Sequence, residues 1–180
     1  LDIKIKVEIS ENKRTGRNVI GYLDNGAART VVLGAHYDHL GYGEDGNSTD
    51  RSGVKAIHNG ADDNASGTAA LIELGRILKN SKQKSNNYLF IAFSAEELGL
   101  NGSKFFTENP TISFSNVNYM INMDMVGRMN DSSKMVTIGG FGTSPQWSSL
   151  INPNDKKNPF AIRIDSSGTG PSDHTSFYRK

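Results

Sequence analysis

The chain has 180 residues, of which 36% are hydrophobic and 22% are charged, which is the composition of one ordinary globular domain. Its 20 basic and 19 acidic residues leave a formal net charge of +1 and are scattered, so no basic stripe indicates a nucleic-acid partner. The absence of cysteine excludes disulfides, thiolate zinc sites and cysteine nucleophiles, and no apolar run is long enough for a membrane span.

The first third of the chain is predicted to hold three strands and a long loop. The stretch "IKIKVEIS" (3–10) alternates apolar and polar residues, and with "NVIGYL" (18–23) after a charged turn it predicts a β-hairpin. The stretch "TVVLGAHYD" (30–38) is more uniformly apolar and suits the middle of a sheet. Residues 41–60, rich in glycine, serine and charge, predict a polar loop.

The remainder alternates helices with strands. The stretch "TAALIELGRILKN" carries apolar residues at helical spacing, and Ser66 stands where an N-cap belongs. Four further strands and two shorter helices are predicted at 88–97, 102–109, 117–127, 134–140, 144–151 and 160–165, with helices at the second and fifth of these ranges. This order indicates an α/β fold, a sandwich with a mixed, mostly parallel central sheet.

Ionisable residues collect where the predicted strands end, which is where open parallel sheets bind ligands. In "HYD", His36 and Asp38 share one face of the strand, so the imidazole could bind a metal with the acid orienting it. Taken alone, the triplet favours a solvated polar strand end over a metal ligand. His39, the next residue, either lines the same pocket or packs in the loop.

Two acids, Asp62 and Asp63, stand before the main predicted helix in "GADDNASG". One acid there is explained by the positive end of the helix dipole, but two acids followed by Asn64 are more than a cap requires. The motif alone leaves capping and metal binding open.

The pair Glu96 and Glu97 follows the apolar run "YLFIAF". The two carboxylates either form the solvated first turn of a helix or divide two tasks, with Glu97 on a metal and Glu96 accepting a proton from water.

Asp124 lies between methionines in "INMDMVG", a run that otherwise suits a buried strand. A buried carboxylate without a partner costs several kcal/mol, so Asp124 indicates a nearby cation. Taken together, the four motifs supply nitrogen and oxygen ligands and no sulfur, which suits zinc, manganese or cobalt, as one ion or as two bridged by an aspartate.

Five stretches in the same order and with similar spacing are shared with one known family: "GAHYDHLG", "NGADDNASG", "FSAEELGLNGS", "INMDMVG" and "GPSDHTSF". Over residues 31–177 the chain thus resembles the two-zinc aminopeptidases, which include bacterial leucyl aminopeptidases, aminopeptidase Y and glutamate carboxypeptidases. The resemblance implies a three-layer α/β sandwich, a zinc-peptidase fold, as one catalytic domain over residues 1–180.

The resemblance also implies roles for single residues. Two zinc ions would be held by His36, Asp63, Glu97 and Asp124, with Asp63 bridging and with a cis peptide bond after it. Glu96 would be the general base and Asp38 the acid that orients His36. Pocket or supporting positions are implied for His39, Asp62, Asn64, Asp173 and His174.

The family's fifth ligand is a histidine that comes some tens of residues after the "SDH" motif, which this chain does not contain. We therefore expect a fragment of a longer protein that binds fewer ions than the complete one and could lack activity. His174 is expected to shape the pocket, with direct ligation as the alternative.

The function implied is a metal-dependent aminopeptidase acting on peptide or protein amino termini, with no nucleic-acid partner. The alternatives are an enzyme resembling glutaminyl cyclase and a catalytically inactive receptor or scaffold domain of the same fold. Relatives are usually exported, so an extracellular or periplasmic location is expected. The sequence indicates neither the preferred terminal residue nor the oligomeric state.

Overall fold

A computed structural model describes residues 3–9 and 13–180. Its strands and helices, in chain order, are β1 (Val19–Leu23), β2 (Thr30–His36), α1 (Gly67–Asn80), β3 (Asn87–Phe93), α2 (Asn101–Glu108), β4 (Val117–Asn122), β5 (Met135–Ile138), α3 (Trp147–Leu150), β6 (Ala161–Ile164) and α4 (His174–Tyr178). An irregular helical turn, Ala61–Ser66, leads directly into α1. No helix among the described residues is long and apolar enough to cross a membrane.

The main sheet has the strand order β1-β3-β2-β4. β2 runs parallel to both of its neighbours, β3 and β4, whereas β1 is antiparallel to β3. All seven residues of β2 are buried, as expected for an apolar strand in the middle of a sheet. β5 and β6 form a separate parallel pair. The predicted α/β fold with a mixed, mostly parallel sheet is confirmed.

The core lies on both faces of this sheet. Alternate residues of β2 point to opposite faces, so Val31 and Leu33 pack with Leu71 of α1, whereas Val32 packs on the other face with Phe106 of α2. Phe177 of α4 stacks on Phe106 with ring centroids 5.8 Å apart. The sheet is therefore covered by α1 on one side and by α2 and α4 on the other.

The predicted amino-terminal hairpin is wrong within the described residues. Residues 3–9 form no strand and are exposed, and Ser10 lies outside the described residues. The strand predicted from "NVIGYL" exists as β1, but β1 pairs with β3, with Val19 opposite Ala92. The exposed edge of β3 offers backbone groups that need partners, and β1 satisfies them.

Ser66 does not cap α1. It precedes the first helical residue as predicted, but its backbone is itself helical and it makes no capping hydrogen bond. Its hydroxyl donates to the carbonyl of Asp62 at 2.6 Å and accepts from the N–H of Val126 at 3.1 Å. Ser66 thereby ties the acidic turn to the segment after β4.

The strands end earlier than predicted. β3 ends at Phe93 and β4 at Asn122, so Glu96 and Asp124 stand on the connections that follow. β2 ends at His36 itself. The side chains singled out in the sequence thus leave the carboxyl ends of three adjacent parallel strands, where their connections meet.

Candidate metal centre

His36 stands at the centre of the first group of donor atoms. Its side chain is 1% exposed, and Nε2 lies 3.1 Å from Oδ1 of Asp63 and 3.4 Å from Oδ1 of Asp124. Nδ1 lies 3.1 Å from the carbonyl oxygen of Asp38, so donation to that carbonyl leaves Nε2 facing the two carboxylates. Residues from the ends of β2 and β4 and from the turn before α1 thus present one nitrogen and two oxygens to a common point.

A second group of donor atoms adjoins the first and shares Asp63. Nδ1 of His39 lies 2.7 Å from Oε1 of Glu97 and 3.9 Å from Oδ2 of Asp63. Within each group, one donor atom per residue can be chosen so that all lie within 4.8 Å of one another. Asp63 directs one oxygen to each group, which is the position of a bridging carboxylate.

The turn that carries Asp63 is fixed through its neighbour Asn64, which is 1% exposed. The amide of Asn64 donates to the carbonyl of Met123 at 2.9 Å, and its oxygen accepts from the N–H groups of Gly67 and Met125 at 3.0 and 3.2 Å. These bonds join the turn to both residues that flank Asp124. The Asp63–Asn64 peptide bond is cis, as the resemblance implied.

Asp62 points away from both groups of donor atoms. Its Oδ1 accepts from the N–H of Gly127 at 2.9 Å, and its Oδ2 lies 3.7 Å from Nε of the exposed Arg128. It therefore holds the segment after Asp124 in place.

Asp38 supports the two glutamates and also lies near the ring of His36. Its two carboxylate oxygens accept from the N–H groups of Glu96 and Glu97 at 3.1 and 3.2 Å. The closest approach of a carboxylate oxygen to Nδ1 of His36 is 3.8 Å, and the backbone carbonyl of Asp38 makes the shorter contact. The tight turn that Asp38 holds includes Ala95, whose φ of 55° is left-handed.

The charges of the clustered carboxylates shift the pKa values at this site. Burial lowers the pKa of His36, but the neighbouring Asp124 and Glu96 outweigh it and raise the pKa to about 9. Burial raises the pKa of Asp124, yet His36 and Ser172 hold it below its usual value. In the metal-free chain, a proton on His36 partly fills the role of a positive ion, and a metal would displace that proton.

Glu96 is the carboxylate most suited to holding a proton. Burial raises its pKa to about 8, with Asp173, Asp124 and Glu97 adding to the rise and His36 opposing it. Its Oε2 lies 3.9 Å from Nε2 of His36, beside the first group of donor atoms. Glu97 is shifted in the same direction, because burial and the charge of Asp63 raise its pKa.

The unpaired atoms test whether these residues fit a metal. Four buried donor atoms of the two groups make no well-aligned hydrogen bond among the described residues and contact one another only as ion pairs: His36 Nε2, Asp124 Oδ1, His39 Nδ1 and Glu97 Oε1. Unpaired buried polar atoms are costly, so four of them converging on two points indicate cations there. Nitrogen and oxygen donors without sulfur suit zinc, manganese or cobalt.

Asp173 and His174 lie outside both groups. Asp173 is fully buried, neither of its carboxylate oxygens has a hydrogen-bond partner among the described residues, and burial raises its pKa to about 6. His174 begins α4, and burial lowers its pKa. Charge interactions with Asp124 place both residues near the centre, although neither belongs to a group of donor atoms.

Two features of the centre were not predicted from the sequence. His39 was predicted only as a pocket or supporting residue or as part of the loop packing, and its contact with Glu97 was not foreseen. Ser172 accepts a hydrogen bond from the amide of Asn122 at 2.7 Å and influences Asp124. The histidine-rich motif could have indicated the first, whereas nothing in the sequence places a serine of the last segment beside β4.

Comparison with known proteins gives a consistent result. The model of Peptidase family M28 matches residues 18–180. Aminopeptidase YwaD of Bacillus subtilis is 28% identical over 173 residues, covering 92% of this chain and 34% of that protein. The chain spans about a third of the length of the curated relatives it matches.

Two solved structures share the fold. The zinc aminopeptidase BSAP of Bacillus subtilis is 27% identical with a TM-score of 0.68, covering 90% of this chain and 37% of that one. Glutaminyl cyclase of Bacteroides thetaiotaomicron, bound to N-acetylhistamine, is 26% identical with a TM-score of 0.69, covering 90% of this chain and 60% of that one.

Proposed function

From the premise that the chain belongs to peptidase family M28, we propose that it carries the metal site of a zinc aminopeptidase, which hydrolyses the peptide bond after a free amino terminus. The observation that carries this proposal is the pair of adjoining donor groups that share Asp63, with Glu96 beside them. The names of YwaD and BSAP, both aminopeptidases, support it.

Two zinc ions are proposed for the complete protein. His36, Asp63 and Asp124 would hold one, and Asp63 with Glu97 would hold the other. When bound, zinc lowers the pKa of a coordinated water and polarises the carbonyl that is attacked.

Glu96 is proposed as the general base. Its side chain is only 9% exposed, which excludes most bulk water from the proton it handles. Nearby cations lower the pKa of a carboxyl group, so with metals present Glu96 can take a proton from the attacking water. It then gives that proton to the departing amine, the two-way transfer expected of one well-placed carboxylate.

Asp38 contributes by position. Its bonds to the N–H groups of Glu96 and Glu97 fix the turn on which the base and a ligand stand. A base must remain within hydrogen-bond reach of the proton it transfers, so this support is part of the proposed mechanism.

Glutaminyl cyclase activity is the second candidate, because one similar structure is an enzyme of that name. Enzymes of that kind are expected to use a single zinc ion. The group of donor atoms around His36 stands beside a further group around Asp63 and Glu97, and two groups favour the aminopeptidase. An inactive scaffold is disfavoured because the four ligands proposed within this chain and Glu96 are present.

The test is an assay of the complete, zinc-loaded protein on two substrates. Amino-acid arylamides report aminopeptidase activity, and peptides with amino-terminal glutamine report cyclisation. We expect release of arylamine and no cyclised product. Cyclisation without arylamine release would replace the proposal with the second candidate. If the protein catalyses neither reaction, the inactive scaffold is favoured. The extracellular or periplasmic location stays a prediction.

A further inference from the structure

We infer that Asn18 is a positioning residue for Glu96, because its side-chain amide joins both ends of the turn on which Glu96 stands. This inference rests on the proposed function, in which Glu96 is the general base. It gives a role in the reaction to a residue that the sequence placed only at the start of a predicted strand.

The side chain of Asn18 makes two hydrogen bonds to the backbone of one turn. Its Oδ1 accepts from the N–H of Ser94 at 3.1 Å, and its Nδ2 donates to the carbonyl of Gly102 at 2.9 Å. Ser94 directly follows the end of β3, and Gly102 lies in the first turn of α2. One amide thus joins the two ends of the turn 94–102, and Glu96 stands between them.

The first of these bonds replaces a bond of the sheet. β1 begins at Val19, which pairs with Ala92, so no residue of β1 lies opposite Ser94. A backbone N–H that leaves a ladder inside a protein needs another acceptor, and Oδ1 of Asn18 supplies it. The side chain of Asn18 therefore continues the hold of β1 on β3 by one further bond, up to the start of the turn.

The turn transmits what happens at its ends to Glu96. The N–H groups of Gly99 and Leu100 both donate to the carbonyl of Glu96 at 2.8 Å, which winds the turn tightly around this residue. Ala95 and Leu100 have φ values of 55° and 62°, in the left-handed region that side chains other than glycine rarely adopt. Such a backbone persists only where its surroundings hold it, so the bonds of Asn18 support the conformation that places Glu96.

Close packing around Ser94 makes the contact with Asn18 sensitive to small changes. A Cβ on Gly102 would lie 2.3 Å from the carbonyl oxygen of Ser94 and 2.5 Å from Oδ1 of Asn18. On the other side, a Cβ on Gly16 would lie 2.8 Å from Oγ of Ser94. Ser94 is thus enclosed by the segment 16–18 and by the start of α2, and in such packing the loss of one side chain is felt by its neighbours.

The segment that carries Asn18 is itself tied to the end of β2. The hydroxyl of Tyr37 donates to the carbonyl of Arg17 at 2.6 Å, and the N–H of Tyr37 donates to the carbonyl of Phe93 at 2.9 Å. Tyr37 directly follows His36, so the support of Glu96 and the first group of donor atoms start from the same strand end. Asn18 thereby fixes the turn relative to the metal centre.

The alternative is that Asn18 only stabilises the fold. Asn25, just beyond the other end of β1, offers a matched control, because its amide donates to the carbonyl of Asn86 at 2.8 Å. Asn25→Ala removes a bond of the same kind away from Glu96. A residue that only stabilises the fold would affect turnover no more than Asn25 does.

The experiment measures hydrolysis of amino-acid arylamides by the complete protein and by its Asn18→Ala and Asn25→Ala variants, all saturated with zinc. For Asn18→Ala we expect kcat to fall by about 10–100-fold, because a displacement of the base by about 1 Å costs that much. KM should not change, since the base acts in the transition state and not in substrate binding. Zinc content by elemental analysis should be equal in all three proteins, and Asn25→Ala should keep its kcat.

A second measurement does not depend on activity. Amide hydrogen exchange of the complete, metal-free protein should be faster at Ser94 and Glu96 in Asn18→Ala, because the turn opens more often. In Asn25→Ala, exchange at these two amides should not change. If the unchanged protein releases no arylamine, the proposed function fails, while exchange still decides whether Asn18 holds the turn.

Three outcomes would overturn the role of Asn18 while the proposed function stands. The first is an unchanged kcat in Asn18→Ala, whether or not exchange is faster. The second is an equal loss of kcat in Asn25→Ala, because the loss would then follow stability and not the turn. The third is a loss of kcat in Asn18→Ala with unchanged exchange at both Ser94 and Glu96.

Discussion

At the scale of single residues, the environment of a carboxylate decides its task. Asp63, Glu96, Asp124 and Asp173 have the same functional group, yet they differ in exposure and in their neighbours. Asp63 and Asp124 face an imidazole nitrogen and suit a cation. Glu96 is more buried and has a pKa raised to about 8, which suits a group that takes and returns a proton.

Glu96→Gln tests the base directly. We expect turnover of arylamides to fall by about 10²–10⁴-fold, because the amide cannot accept the proton of the attacking water. Metal content, measured by elemental analysis, should not change. Glu73→Gln is a matched control, since Glu73 pairs with Arg76 on the exposed face of α1. Turnover within threefold of the unchanged protein would refute the role of Glu96.

The free energy of unfolding of the metal-free protein is expected to depend on pH through Asp173. Burial raises its pKa from 3.8 to about 6, so the folded state retains this proton at a pH where the unfolded state has released it. Stability contributed by Asp173 is therefore lost as the pH rises through this window. A shift of about two units corresponds to a loss of up to about 3 kcal/mol.

Asp173→Asn should remove this dependence. The free energy of unfolding of the variant, relative to the unchanged protein, should increase by up to about 3 kcal/mol between pH 4 and pH 7. Denaturant unfolding in the presence of a chelator measures it. The charge of Asp173 also raises the pKa of Glu96, so part of the difference reports that interaction. A difference that is constant with pH would contradict the prediction.

At the scale of elements, the site depends on how α1 meets the end of β4. A Cβ on Gly67, the first residue of α1, would lie 2.3 Å from the carbonyl oxygen of Met123 and 2.5 Å from Oδ1 of Asn64. Both atoms belong to the contacts that join the Asp63 turn to Asp124. The start of the helix and the metal centre therefore share one close contact.

Gly67→Ala should be destabilising by about 1–3 kcal/mol, because backbone must move to admit the methyl group. Zinc affinity should fall with it, since the movement displaces Asn64. Gly75→Ala is the matched control in the same helix, where the nearest atom to a new Cβ is a Phe90 ring carbon at 3.7 Å. That variant should be neutral or up to about 1 kcal/mol more stable. Equal effects of the two substitutions in chemical unfolding would count against this explanation.

Elements were predictable from the sequence where burial dictates the pattern. β2 and α1 have apolar residues at the spacing of a buried strand and of a helix with one buried face, and both exist. The alternation of apolar and polar residues in 3–10 was misleading, because such a pattern does not show which strand, if any, the segment pairs with. The ends of the three parallel strands of the main sheet were set two to five residues too late, because no glycine or proline directly follows His36, Phe93 or Asn122 to mark them.

At the scale of the whole molecule, metal and fold are coupled. The donors come from positions as far apart as His36 and Asp124, so the unfolded chain cannot present them together. An ion that binds only the folded state stabilises it by about 2.7 kcal/mol at a concentration 100 times its dissociation constant. Residues that sequence motifs place at strand ends were predictable as donors, whereas His39 depends on the path of a loop that no periodicity describes.

Removal of metal should therefore lower the melting temperature. For a domain of this size we expect a decrease of about 5–10 °C on adding a chelator, reversed by zinc. Asp63→Ala should melt at the same temperature with and without zinc, because it lacks the carboxylate that serves both positions. Scanning calorimetry measures both proteins, and a zinc-dependent shift of equal size in Asp63→Ala would show that the ion stabilises the chain elsewhere.

Asp38 accepts two hydrogen bonds, one from each glutamate N–H, and this limits what substitutions at residue 38 can do to the site. Its two oxygens bind the backbone N–H groups of both Glu96 and Glu97, so a substitution of residue 38 moves the proposed base and the proposed metal ligand together. A change at the end of β2 then leaves the distance between Glu96 and Glu97 unaltered. It alters the distance of both glutamates from His36. A substitution of Asp38 is therefore expected to change turnover and metal affinity together.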